Sequence, residues 1–203
     1  MRKASLFVKR LFDVFASFLG LIILSPVFLL FSLWIKMDSK GSVFFCQERL
    51  GFHGKTFKLI KFRTMVMNAE HIGEGVKVMD ESDPRITKSG RILRKTSIDE
   101  LPQLVNVLLD SMSIVGPRPP VVYHPYDGYE NYPDWAKKRF LMRPGITGLA
   151  QAEVRASEPW ETRFKYDVEY VEKFSLLLDI KIIFMTVVRI FKADELYIGH
   201  KNE

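Results

Sequence analysis

The longest uninterrupted run of apolar positions lies near the N-terminus, where no residue from Val14 to Ile35 carries a charge. At about 22 residues the run is long enough to cross a bilayer core of ~30 Å as one helix. Two features oppose a straight crossing. Ser25-Pro26 sits in its middle, where proline removes a backbone hydrogen bond and bends a helix. Basic residues also flank both ends, with Arg2, Lys3, Lys9 and Arg10 before and Lys36 and Lys40 after, so the positive-inside rule gives no direction of crossing. A helix bent at Ser25-Pro26 that enters one leaflet and returns satisfies both facts. From the pattern alone, spanning and re-entrant helices both stand. A cleavable signal peptide does not fit, because the run is too long and no small-x-small site precedes Lys36.

Farther along, the period changes. Ser42 to Met65 reads as a β-hairpin: Val43 to Gln47 and Phe57 to Arg63 are rich in strand formers, and Gly51 to Gly54 supplies the turn. Alternation puts Phe57, Leu59, Lys61 and Arg63 on one face, with two cations at its far end that would either meet a phosphate or line the rim of a sheet. Glu70 to Arg85 lacks a period and predicts a flexible loop, and Thr87 to Lys95 is a short basic segment. Leu101, Leu104, Val105 and Leu108 recur as one face of an amphipathic helix. Pro125 to Pro133, with four tyrosines from Tyr123 to Tyr132, reads as an aromatic loop, suited to a membrane interface or to plain packing. Phe164, Val168 and Val171 mark a helix from Trp160 to Lys173 that carries Asp167. Phe174 to Phe191 is almost wholly apolar, yet Asp179, Lys181 and Arg189 argue for a buried or interfacial helix over a second span. The expected fold class is therefore α+β and mainly helical, with an N-terminal membrane helix, a small β-hairpin and interfacial amphipathic helices.

Composition narrows the partners. The chain has 203 residues, enough for one globular domain with an appendage, and its formal charge of +6 favours anions: a nucleotide, a phospholipid surface or nucleic acid. A single cysteine, Cys46, excludes an internal disulfide, and four scattered histidines show no structural zinc spacing.

Candidate chemistry concentrates between Arg94 and Pro120. Ser97-Ile98-Asp99-Glu100 has the form of a capping box, which on its own is a structural device worth about 1 kcal/mol. That reading leaves Asp99 unaccounted for. It also leaves Pro102 near the fifth helical position, where a proline costs a hydrogen bond. The helix then runs into Gly116-Pro117-Arg118-Pro119-Pro120, which holds one cation between prolines. Adjacent carboxylates and a fixed arginine are the parts needed for metal-assisted work on a phosphate. Arg143-Pro144-Gly145-Ile146-Thr147-Gly148 adds a turn whose backbone N–H groups would face an anion beside Arg143, although it is neither a Walker loop nor a dinucleotide fingerprint.

Six segments occur in order: Lys9-Arg10-x-x-Asp13 before the Ser25-Pro26 run, Lys61-Phe62-Arg63-Thr64-Met65, Ser97 to Gln103, Val115 to Pro119, Arg143 to Gly148, and Asp167-Val168-x-Tyr170-Val171. Together they closely resemble the bacterial sugar transferases, the small monotopic phosphoglycosyl transferases. The resemblance covers the chain from about Lys9 to Lys192.

It implies an enzyme that moves a sugar-1-phosphate from a UDP-sugar to undecaprenyl phosphate and releases UMP, using Mg²⁺, at the start of capsule, exopolysaccharide, O-antigen or glycoprotein assembly. It implies that Asp99 is the nucleophile and forms a phosphosugar intermediate. Glu100, with Asp99, would hold Mg²⁺, Arg118 would bind phosphate, and Lys61 and Asp167 match further site positions. Arg63, Arg143 and Arg155 join them as expected substrate-binding residues. Where many relatives carry Asn-Gly-Arg-Asn, this chain has Glu153-Val154-Arg155-Ala156, which keeps the arginine and changes its neighbours, so no sugar is implied.

The resemblance further implies a re-entrant helix broken at Ser25 and Pro26. Residues 1–40 would form the membrane helix and residues 41–203 a catalytic domain on the cytoplasmic face of the bacterial inner membrane. The partners implied are a UDP-sugar, undecaprenyl phosphate and membrane phospholipid, with a homodimer admitted and no nucleic acid. A phosphohydrolase with a carboxylate nucleophile, acting on nucleotide- or lipid-linked phosphates, would use the same residues. In a non-enzymatic, membrane-anchored basic module, Ser97 and Glu100 would only cap a helix.

Overall fold

The computed structural model describes residues 2–69, 72, 83–154 and 157–192. Two helices open the chain, α1 (Arg2–Ile23) and α2 (Ser25–Asp38). They meet at a bend of 60°. Proline does not kink a continuous helix here. It falls in the first turn of α2, where a missing N–H costs little, and Ser25 Oγ donates to the Ile22 carbonyl at 2.8 Å. Among the described residues no single helix is long and apolar enough to cross a membrane; the bent pair together meets that test.

The surface of α1 is inverted relative to a helix of a water-soluble domain. Lys9, Asp13 and Ser17, spaced four apart, are buried, while Phe7, Leu11, Phe15, Phe18 and Ile22 are exposed. The buried face fastens α1 to the rest of the chain. Lys9 pairs with Asp179 at 2.7 Å, Asp13 accepts from Ser113 Oγ at 2.6 Å and from the Ile114 N–H at 3.1 Å, and Arg10 donates to the Val107 carbonyl at 2.8 Å. The far end of α2 is fastened as well: Ile35 packs with Phe62 and Leu93, and Asp38 accepts two bonds of 2.8 Å from Ser89. Both outer ends of the bent pair are thus held by one body.

The expected hairpin forms. Strands β1 (Phe44–Leu50) and β2 (Thr56–Phe62) pair antiparallel, with Phe44 opposite Phe62 and Leu50 opposite Thr56. The basic segment that follows the loop is helical, α3 (Lys88–Lys95), with Thr87 as its N-cap accepting from the Gly90 N–H. Of the flexible loop expected over Glu70 to Arg85, residues 70–71 and 73–82 lie outside the described residues.

The capping box does not form. Ser97 has φ 56° and its side chain caps nothing; Ile98–Glu100 is a single 3₁₀ turn. Pro102 is the N-cap of a short helix, α4 (Gln103–Leu108), so it breaks no hydrogen bond. The face marked by Leu101, Leu104, Val105 and Leu108 is only half-buried, and the core side carries Gln103, Asn106 and Val107 instead. Asn106 earns that position by pairing with β2: its Oδ1 accepts from the Ile60 N–H at 2.9 Å and its Nδ2 donates to the Lys58 carbonyl at 2.8 Å.

A second sheet was not legible in the pattern. Strands β3 (Ser113–Val115) and β4 (Gly145–Thr147) pair in parallel. The Gly145 N–H donates to the Pro117 carbonyl at 3.0 Å, so it does not face an anion as the Arg143–Gly148 segment suggests. A Cβ at Gly145 would collide with the Gly116 backbone; only glycine allows this approach, and it braces the loop that carries Arg118.

The remaining helices are α5 (Asp134–Lys137), α6 (Leu149–Glu153), α7 (Trp160–Lys173) and α8 (Leu176–Lys192). Of the tyrosine-rich loop, Tyr126, Tyr129 and Tyr132 pack with Phe140 and Phe164, while Tyr123 stays exposed. Helix α8 buries Asp179 and Ile182 and turns Leu177, Ile180, Phe184 and Val187 outward. The result is mainly helical with two small sheets, an α+β chain.

Candidate active site

Three elements converge on the carboxylate pair. Strand β2 brings Lys61, the 3₁₀ turn after Ser97 brings Asp99 and Glu100, and the loop after β3 brings Arg118. The left-handed Ser97 turns the chain sharply out of α3, so both acids project from a single tight turn. Lys61 Nζ lies 2.6 Å from Glu100 Oε1, and Arg118 Nη2 lies 3.4 Å from the same oxygen.

Asp99 is half-buried, and its carboxylate makes no hydrogen bond or ion pair with any described residue. Burial raises its pKa to about 6, and the Glu100 charge pushes the same way, against Lys61, Arg94 and Arg118. For Glu100 burial also acts upward, but Lys61 and Arg118 outweigh it and hold its pKa down to about 2. One carboxylate is therefore locked as an anion among cations. Its neighbour is left unbonded and poised to titrate just below neutrality.

Behind Arg118 stands Asp167. It is not placed as a direct partner of the carboxylate pair. It is buried on α7 and paired with Arg139 at 2.6 Å, and Arg139 Nη2 donates to the Arg118 carbonyl at 2.5 Å. Asp167 thus orients the arginine that orients the loop.

Two expected members lie elsewhere. Arg63, which alternation grouped with Lys61, is buried and donates to the carbonyls of Ile35, Ser39 and Lys40 at the end of α2. Its charge satisfies that helix terminus. Arg143 pairs with Asp110 at 2.6 Å and lies over the Phe52 ring, and Asp110 is shared with Arg10. Arg155 lies outside the described residues.

Arg94, which precedes the two carboxylates in the chain, belongs to the site, and so do Arg139 and Arg163, which the sequence pattern does not mark as its members. Arg94 donates to Thr64 Oγ1 at 2.8 Å and its charge acts on Asp99. Arg163 stands four residues before Asp167 on α7, the spacing that puts two side chains on one helix face. That spacing was the available signal. Arg139 had none, because its partners are long-range.

Magnesium keeps several waters and takes one or two carboxylates together with substrate phosphates. Asp99 and the second oxygen of Glu100 fit that donor set. Among the described residues no group of three or more His, Cys, Asp or Glu side chains could form a closed metal cage.

Comparison with known proteins identifies the family. The bacterial sugar transferase family model matches residues 4–193. An exopolysaccharide production protein, ExoY, of Sinorhizobium fredii is 42% identical over 194 residues, covering 88% of this chain and 83% of the relative. The UDP-glucose:undecaprenyl-phosphate glucose-1-phosphate transferase of Escherichia coli is 42% identical over 190 residues, 91% of this chain and 40% of that protein. The undecaprenyl-phosphate galactose phosphotransferase of Salmonella typhimurium is 40% identical over 210 residues, 97% of this chain and 43% of that protein.

Proposed function

Since the chain belongs to the bacterial sugar transferase family, we propose that it transfers a sugar-1-phosphate from a UDP-sugar to undecaprenyl phosphate through a covalent intermediate on Asp99. The observation that supports this most directly is the division of labour in the carboxylate pair. Glu100 takes the direct bonds of Lys61 and Arg118, and Asp99 stays unbonded beside them.

A diphosphate repels an attacking carboxylate, so the cations must act on the phosphoryl oxygens as the bond forms. Asp99 Oδ attacks the phosphorus that bears the sugar, the bond to the bridging oxygen breaks, and UMP leaves with the electron pair. An oxygen of the acceptor phosphate then attacks the same phosphorus, the acyl-phosphate bond breaks, and the Asp99 carboxylate is restored. Lys61, Arg94 and Arg118 keep the site positive through both steps. Mg²⁺ held by Asp99 and Glu100 would add further charge neutralisation on the diphosphate. Splitting the transfer in two lets a water-soluble donor and a lipid acceptor use one site in turn.

The acceptor requires a site at the membrane. Residues 1–40 act as a re-entrant anchor: the outward face of α1 is apolar, the pair is bent, and its outer ends attach to α8 through Asp179 and to α3 through Ser89. The outward stripe of α8 lies in the same interface. The catalytic part then faces the cytoplasm, where UDP-sugars are available.

The test is UMP release by purified, detergent-solubilised protein over a panel of UDP-sugars, with and without undecaprenyl phosphate. One equivalent of UMP without acceptor and continuous release with it is the expected outcome. Continuous release without acceptor would mean hydrolysis. No release from any donor would leave a membrane-anchored binding module.

A further inference from the structure

Arg163 is half-buried, with its guanidinium 4.3 Å over the Trp160 ring, and that guanidinium makes no hydrogen bond or ion pair with any described residue. Its charged neighbours are Arg118, Asp167 and Arg139. Asp167 is already committed to Arg139 at 2.6 Å, so the local balance around Arg163 is positive. Arg163 also sits in the first turn of the 14-residue helix α7, where the backbone adds positive potential.

Around the carboxylate pair and this extension stand Lys61, Arg94, Arg118, Arg139 and Arg163, against Asp99, Glu100 and Asp167. A partly desolvated guanidinium that bonds to no described residue, beside two others and one committed carboxylate, leaves positive charge for a bound anion to offset. Burial, then the Arg118 charge, lowers the Arg163 pKa to about 10, so the group is still charged at neutral pH.

Arg118 is the charge common to both clusters. It pairs with Glu100 on one side, and on the other its carbonyl is held by Arg139, whose partner Asp167 stands four residues after Arg163 on the same helix face. A ligand with two linked phosphates fits that sequence of groups, one phosphate between Asp99 and Arg118 and the other between Arg118 and Arg163. We propose that Arg163, with Arg118, binds the donor phosphate that departs with the nucleoside. This assignment rests on the sugar-nucleotide reading above. The Trp160 ring lies against the guanidinium, a cation–π contact that limits its freedom before an anion binds.

The experiment is calorimetric titration of the full chain in detergent with UMP, uridine and inorganic phosphate. It compares wild type with Arg163→Gln and with Arg163→Met, which keeps an apolar stem on Trp160. UMP affinity should fall about tenfold or more in both variants, as for loss of a charge-assisted bond, and uridine affinity should not change. Should Arg163→Gln melt at lower temperature than wild type, Arg163→Met decides. UMP affinity within twofold of wild type in a folded variant overturns the assignment and leaves the sugar-nucleotide reading intact. An equal loss for uridine overturns it too, because the effect would then not be on the phosphate. Wild-type protein that binds phosphate, loses it in both variants and ignores UMP would uphold the anion point and overturn the nucleotide donor. Binding of none of the three overturns both.

Discussion

Arg139 and Asp167 form an ion pair at 2.6 Å with each side chain only 2% exposed, and the same guanidinium donates to the Arg118 carbonyl. Arg139 also lies 4.4 Å from the Phe164 ring and 5.1 Å from that of Phe140, so its charge is enclosed by apolar faces. Removing one partner of such a pair leaves the other charge buried and uncompensated, at a cost of about 3–5 kcal/mol.

Asp167→Asn should therefore lower the melting temperature sharply. Among molecules still folded, it should raise the donor KM, because the Arg118 loop loses its brace. Thermal unfolding read beside steady-state kinetics checks both parts. Wild-type KM in a destabilised variant would confine Asp167 to stability.

Asp99→Asn should abolish turnover and yet stabilise the fold. The Asp99 pKa is raised from 3.8 to about 6, chiefly by burial, so its ionised form is disfavoured in the folded state. Above pH 6 the wild type carries that penalty, and as pH falls towards 4 it takes up a proton and the penalty disappears. A neutral asparagine should gain up to roughly 3 kcal/mol at pH 7.5 on the basis of 1.36 kcal/mol per unit, and nothing near pH 4. Glu100 has the opposite sign: its contribution is present above its ordinary 4.5 and is lost as pH falls towards 2. Denaturant unfolding of both proteins across pH 4–8 measures the difference. An Asp99→Asn protein less stable than wild type at pH 7.5 would mean that Asp99 is structural.

The acid limb of the rate should follow the same carboxyl group. The donor kcat/KM should fall as pH drops through about 6, because the attacking oxygen must be ionised. Lys61→Gln removes the largest of the charges that hold this pKa down and should move the limb to higher pH while slowing turnover. A limb that stays in place in Lys61→Gln would assign it to another group.

Much of this site could be read from short segments of the chain. Asp99, Glu100 and Arg118 stood out because adjacent acids and an arginine between prolines are costly arrangements with no local purpose. The α+β class followed from the change of period at Ser42. Local patterns misled where a distant partner decided the outcome. Ser97-x-x-Glu100 has the composition of a capping box, but Glu100 is drawn to Lys61 on β2 and Ser97 takes a left-handed turn. Arg63 shares a strand face with Lys61, yet the carbonyls ending α2 claim it. The pairing of β3 with β4 joins segments of three residues each, too short for alternation to register.

Both ends of the α1–α2 pair should face the cytoplasm. Lys9 is tied to Asp179, and Asp38 to Ser89, in one body, which a helix crossing the bilayer between them would not allow. Cys46 is exposed and must first be replaced by serine. Single cysteines at Lys3 and Lys40 should then be equally protected from an impermeant thiol reagent in intact cells. Replacing Ser25 and Pro26 together by leucine should straighten the pair and expose the Lys3 site. Labelling of that site in the unaltered helix pair would mean a spanning helix.

Arg118 offers the sharpest test of the phosphate reading, because charge and shape can be separated there. It lies between Pro117 and Pro119, its carbonyl is held by Arg139, and its side chain is 36% exposed beside Glu100. The backbone is therefore fixed while the guanidinium remains reachable by a ligand. Lysine keeps the charge and most of the length but loses the planar fork that bridges two phosphate oxygens. If the contact tightens as the new bond to Asp99 forms, Arg118→Lys should cost roughly 2–4 kcal/mol of transition-state stabilisation, a loss of about thirty- to thousand-fold in kcat/KM. Melting temperature and recovery in the membrane fraction should stay close to wild type, since the Arg139 bond is to the backbone. Purified protein, saturating magnesium and the donor giving the fastest UMP release are sufficient for the measurement. A wild-type rate from Arg118→Lys would leave Glu100 as the only partner that matters to Arg118, and the cation acting on the diphosphate would then have to be Lys61 or Arg94.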